Sequence, residues 1–117
     1  GPSGRARAAA SAAERCFLGG CAAHLRGEGG LAVALLRDSL LQDGRDGARW
    51  HFYAGVLLKA AAAGGGAAEE LAGLAEEALR RAVSLGHAAL RSSCLDLEAL
   101  LWERGDLAGC REAQGRR

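Results

Sequence analysis

The amino-acid sequence predicts an all-α fold, and its composition is the main reason. Half of the 117 residues are hydrophobic, but most of these are Ala and Leu, and the chain contains neither Ile nor Thr. Ala, Leu, Glu and Arg favour helices because they lose little rotamer freedom there, whereas strands prefer β-branched residues. The 18 glycines cluster at 27–30, 44–47 and 64–66, where they indicate turns between helices.

Charge and hydropathy exclude several classes of partner. The formal net charge is +1, with acidic and basic residues interspersed, which argues against a nucleic-acid or membrane-surface partner bound by bulk charge. No apolar run approaches the roughly 18–20 residues that span a bilayer. The four cysteines, without a secretory signal, indicate reduced thiols packed as small apolar groups. We therefore expect a cytoplasmic or nuclear protein with no nucleic-acid or membrane partner.

An internal repeat of 34 positions organises the chain. Small and large residues recur at this spacing, so that Cys16, Gly20, Ala23 and Gly27 correspond to Trp50, Ala54, Leu57 and Ala61. Both sets indicate a helix with small residues where a neighbouring helix comes close. The first set continues through a glycine turn into a second helix, LAVALLRDSLLQD.

This pattern resembles the tetratricopeptide repeat (TPR), in which each unit is a pair of antiparallel helices with W-x2-L-G-x2-Y in the first helix. The matching residues here are Trp50, Tyr53, Ala54 and Leu57. The pattern of the second helix falls on Ala32, Leu36 and Ser39, and Gly44 stands where the family usually has Pro. The resemblance implies a right-handed α-solenoid of antiparallel helix pairs, with about two and a half repeats.

The predicted boundaries follow from this pattern. We expect a tag remnant at 1–4, an N-terminal lead-in at 5–12, and TPR-like repeats at 13–46 and 47–90, followed by a partial third repeat at 91–117. The second repeat carries about ten extra residues, because Ala54 to Glu98 is a step of 44 positions rather than 34. We place this glycine-rich insertion near 61–74, with a loop at 64–66 and a helix from about Ala67 to Leu85.

One ambiguity of two residues remains in the first repeat. Either Gly27 or Gly29 could occupy its turn. We prefer Gly27, because the alternative places Asp38 at a position that should be buried.

No catalytic or metal-binding pattern is found in the sequence. Cys21 and His24 lie three residues apart, but no second pair completes the four ligands of a structural zinc site. Acidic and basic residues spaced four apart, such as Glu76 and Arg80, are explained by helix-stabilising ion pairs. We therefore predict no enzyme and no cofactor.

The resemblance also implies a concave groove formed mainly by the first helix of each repeat. Its predicted residues are Phe17, Cys21 and His24 in the first repeat, His51, Gly55, Leu58 and Lys59 in the second, and Ser92, Leu95 and Trp102 in the third. Some family members bind acidic chaperone tails through Lys, Asn and Arg on this face. This chain has Phe17, Cys21, Phe52, Ser92 and Asp96 at those positions, so a carboxylate clamp is not expected.

Two functions remain open from the sequence. The first is an adaptor that holds an apolar peptide or amphipathic helix of a partner protein in the groove. The second is self-association, as a homodimer or within a larger helical-repeat assembly, through the C-terminal end near Trp102. Leu95 and Phe17 have the alternative role of packing between helices.

Overall fold

The computed structural model describes residues 2–64, 66–86, 95–97 and 99–100, with side chains from Ala12 onward. The regular secondary structure of these residues is entirely helical, which confirms the all-α prediction. The four helices are α1 (Pro2–Leu25), α2 (Gly29–Gln42), α3 (Gly47–Ala62) and α4 (Ala68–Leu85). The expected lead-in, 5–12, belongs to α1, and residues 95–97 and 99–100 are also helical.

Helices α1 and α2 pack against each other in the first of two compact units, Gly1–Arg45. Only residues 26–28 connect them, and so short a connection makes the helices antiparallel. Gly27 has a φ of +78°, which favours glycine, and its N–H donates to His24 O while that of Glu28 donates to Ala23 O. This is a Schellman motif, so Gly27 rather than Gly29 is the turn residue.

The core of the first unit is built from small residues on α1 and larger ones on α2. Gly20 lies so close to Leu36 that a Cβ atom on residue 20 would stand 2.7 Å from the Leu36 Cγ atom. The buried residues are Ala13, Gly20 and Ala23 on α1, and Ala32, Leu36, Ser39 and Leu40 on α2. Asp38 is exposed, in agreement with the choice of Gly27 as the turn.

Helices α3 and α4 form the second pair, within the unit Asp46–Arg117. Asp46 caps α3, because its side chain accepts a hydrogen bond of 2.9 Å from the Ala48 N–H. Helix α4 begins one residue after the predicted Ala67 and ends at the predicted Leu85. The buried residues are Gly47, Tyr53, Ala54, Val56 and Leu57 on α3, and Ala75, Ala78, Leu79, Ala82 and Val83 on α4.

The burial pattern repeats between the two pairs. In the first helices, Ala13, Gly20 and Ala23 match Gly47, Ala54 and Leu57 at a constant step of 34 positions. In the second helices, Ala32, Leu36, Ser39 and Leu40 match Ala75, Leu79, Ala82 and Val83 at a constant step of 43. Nine of the roughly ten extra residues of the second repeat therefore lie between its two helices. They lengthen the end of α3, the connecting loop and the start of α4.

Candidate functional site

The predicted groove residues of the second repeat lie on one side of α3. At about 100° per residue, His51, Gly55 and Leu58 lie roughly 120° around the helix from the centre of the buried residues. Gly55 and Lys59 are exposed, while His51 and Leu58 are half-buried. We call His51, Gly55, Leu58 and Lys59 the α3 face. It is a side of α3 distinct from the one that packs on α4.

A contact with Asp96 occupies one end of the α3 face. The Nε2 atom of His51 lies 2.9 Å from the Oδ2 atom of Asp96, with the two side chains 24% and 49% exposed. The contact joins α3 to the described residues 95–97 and 99–100, of which Leu97 and Leu100 are buried. The sequence indicated only that Asp96 stands where a carboxylate-clamp residue would be expected. It gave no sign of the contact between Asp96 and His51.

The other end of the α3 face carries an available positive charge. Lys59 is exposed in the last turn of α3 and has no ion-pair partner among the residues that the structure describes. Most of the described arginines are engaged, as in the pairs Arg26–Glu28 and Arg45–Asp43. Lys59 is therefore well suited to a carboxylate from outside the described residues.

Gly55, at the centre of the α3 face, leaves open space. A Cβ atom on residue 55 would meet no described atom within 4 Å. Glycine inside a helix costs about 1 kcal/mol relative to alanine, and internal packing does not explain its presence here. The missing side chain allows another chain to approach the backbone of α3.

The predicted residues of the first repeat lie on α1. Phe17, Cys21 and His24 are half-buried, and each also makes contacts within the protein. Beside them, Leu18 and Leu25 are exposed. Cys16 and Cys21 are free thiols, as expected, and the Gln42 Nε2 donates to the Cys16 Sγ at 3.5 Å.

Among residues 95–97 and 99–100, two buried positions lie 44 residues after buried positions of α3. Leu97 and Leu100 are buried like Tyr53 and Val56. Leu95, by contrast, is exposed. Two predicted groove residues, Ser92 and Trp102, lie outside the described residues.

Trp50 packs between the helices of the second pair. Its ring is half-buried and lies edge-on to Tyr53, with ring centroids 6.3 Å apart. The Arg81 Cζ atom on α4 lies 5.2 Å from the Trp50 ring centroid, a cation–π distance. The sequence matched Trp50 to the repeat pattern but gave no sign of the Arg81 contact.

The described residues give no support for metal binding or for a membrane-spanning helix. No group of three or more His, Cys, Asp or Glu side chains there could hold a metal ion. None of the described helices is long and apolar enough to cross a membrane.

Comparison with known proteins adds no family. No protein-family model matches the chain, and no curated protein matches its sequence. The features of the chain that bear on its function are therefore the repeated helix pairs and the exposed side of their first helices.

Proposed function

We propose that this chain is a protein-interaction module of TPR-like helix pairs, arranged as a right-handed α-solenoid, that binds a peptide or amphipathic helix of a partner. The proposal includes no catalytic activity and no cofactor, and it places the protein in the cytoplasm or nucleus. One observation carries it: the burial pattern repeats at 34 positions in the first helices and at 43 in the second. Recurrent helix pairs are typical of solenoids, whose exposed helix faces bind other chains.

The residues of the α3 face indicate the kind of ligand. Leu58 offers apolar surface, Gly55 allows close approach and Lys59 offers a positive charge. An amphipathic helix matches this set, because its apolar stripe can cover Leu58 while an acidic residue reaches Lys59. An acidic chaperone tail does not match, since the clamp residues are absent.

A peptide-display selection tests this function. A library of helical peptides is selected on the wild-type chain, and the affinity of each selected peptide is measured by fluorescence anisotropy. We expect Leu58→Asp to weaken binding by at least about tenfold, because it places a charge under the apolar stripe. Leu74→Asp is the matched control, since Leu74 is an exposed leucine on α4 outside the face.

Circular dichroism of both variants checks that they keep their helices, as we expect. Peptides that bind wild type and Leu58→Asp equally would contradict the proposed face, and a selection that yields no binder would contradict the function. Self-association through the C-terminal end stays a prediction, because Trp102 and its neighbours lie outside the described residues.

A further inference from the structure

We infer that the α3 face binds a second copy of this chain. Two α3 helices would cross in antiparallel orientation at Gly55, and Lys59 of each copy would pair with Asp96 of the other. The inference rests on the proposed function, because it names the partner of the same face. It differs from the predicted self-association, which used the C-terminal end.

The spacing of the α3 face makes it self-complementary. His51, Gly55 and Lys59 are each four residues apart and form one ridge along the helix. If two such ridges cross antiparallel at Gly55, position 59 of one copy lies opposite position 51 of the other. The two-fold axis then makes every contact twice, which closes the assembly as a dimer.

The charges at these opposed positions are complementary. The Asp96 carboxylate lies beside position 51, where its Oδ2 atom is 2.9 Å from the Nε2 atom of His51. That carboxylate is 49% exposed and has acceptor capacity beyond the single contact with His51. Lys59 has no ion-pair partner within the described part of the chain. In the antiparallel pair, Lys59 of each copy therefore lies opposite the Asp96 carboxylate of the other copy.

Sterics allow the helices to come close enough for these pairs. A Cβ atom at the crossing point, Gly55, would meet nothing within 4 Å in the described chain. Ala48 and Ala62 lie seven residues before and after it and are exposed. In an antiparallel pair Ala48 of one copy lies near Ala62 of the other, so small side chains flank the crossing point on both sides.

Charge reversal in full-length chains gives a direct test. In Lys59→Glu, both intermolecular pairs become acid against acid, and in Asp96→Lys both become base against base. A mixture of the two variants restores two attractive pairs in the heterodimer. Light scattering from low to several hundred micromolar should show a dimer of twice 12.0 kDa for wild type. We expect each variant alone to dimerise at least about tenfold more weakly, and the mixture to recover.

Two controls separate this interface from changes in folding. Arg37→Glu reverses another exposed cation without a described ion pair, on α2, and should leave the dimer unchanged. Gly55→Leu places a good helix former in open space, so it should retain the helix content by circular dichroism and lose the dimer.

Several outcomes would overturn the inference. These are a wild-type mass of 12.0 kDa at every concentration, a dimer that neither charge reversal weakens, or a mixture that does not recover. Peptide binding lost in Leu58→Asp would still support the proposed function in each of these cases. The two proposals therefore fail separately.

Discussion

Leu36 packs directly against Gly20. The Leu36 Cγ and Cδ2 atoms lie 2.7 and 2.8 Å from the position that a Cβ atom on residue 20 would occupy, and the Leu36 backbone N lies at 3.3 Å. Real Cβ atoms do not approach their neighbours so closely, so α1 and α2 can pack this way only because residue 20 has no side chain. The equivalent residue in the second pair, 34 positions later, is the small residue Ala54.

Gly20→Ala should therefore destabilise the first unit. Overpacking costs about 1–3 kcal/mol, which equals or exceeds the roughly 1 kcal/mol that alanine gains by helix propensity. We expect a net loss of up to about 2 kcal/mol in the free energy of unfolding. Urea unfolding monitored by circular dichroism measures it.

Gly55→Ala is the matched control, because a Cβ atom there meets nothing described within 4 Å. This variant should gain up to about 1 kcal/mol, measured at low micromolar concentration to keep self-association out of the comparison. Equal effects at the two positions would show that propensity, not contact with Leu36, decides the result.

Ser39→Ala should stabilise the protein. Ser39 is fully buried, and its Oγ atom has no hydrogen-bond partner in the described part of the chain. A buried unpaired hydroxyl costs about 1–3 kcal/mol, and alanine removes it while leaving only a small void. The equivalent residue in α4 is already alanine, Ala82. We expect a gain of about 1 kcal/mol in urea unfolding. A loss of stability would instead show that the hydroxyl has an acceptor.

Local periodicity explains what the sequence could predict. Most of the residues matched to the repeat pattern, such as Leu36, Ser39, Ala54 and Leu57, are buried, because spacing along a helix determines which side chains share a face. The Gly27 turn was also predictable, since few residues other than glycine accept a positive φ.

Contacts between distant residues could not be predicted in this way. The pairs His51–Asp96 and Trp50–Arg81 depend on how separate helices pack and on which rotamers their side chains adopt. The spacing in the sequence predicted His51 and Lys59 on one face of a helix. It could not show that one of them is already bound to a carboxylate within the chain.

The carboxyl group of Glu28 should have a pKa below its ordinary value in the folded protein. In the α1–α2 turn, its hydrogen bond and ion pair with Arg26, at 3.1 Å, lower the pKa of Glu28 below its ordinary 4.5. Because the folded-state pKa is lower than the unfolded one, the pair stabilises the fold above pH 4.5. That contribution is lost as the pH falls through the folded-state value.

An NMR titration of the Glu28 side chain measures this shift. Arg26→Gln should raise the pKa of Glu28 toward the ordinary value, because it removes both the charge and the hydrogen bond. Arg45→Gln is the control, since Arg45 makes the same kind of short-range pair with a different residue, Asp43. A pKa of Glu28 that is unaffected by Arg26→Gln would contradict the assignment.

Trp50 and Arg81 should be energetically coupled. The Arg81 Cζ atom lies 5.2 Å from the Trp50 ring centroid and so connects α3 to α4. A cation–π contact at a partly exposed site contributes about 0.5–1 kcal/mol. A double-mutant cycle with Trp50→Leu and Arg81→Gln should give a coupling of that size, because each substitution removes the contact.

Glu70→Gln provides the control for this cycle. Glu70 is exposed in the first turn of α4, about three helical turns before Arg81, so its cycle with Trp50→Leu should give a coupling near zero. The measurement is the free energy of unfolding of the single and double variants in urea. Equal coupling of Glu70 and Arg81 to Trp50 would show that Trp50 responds to the stability of α4 as a whole. Coupling confined to Arg81 would assign the interaction to the ring and the guanidinium that lies over it.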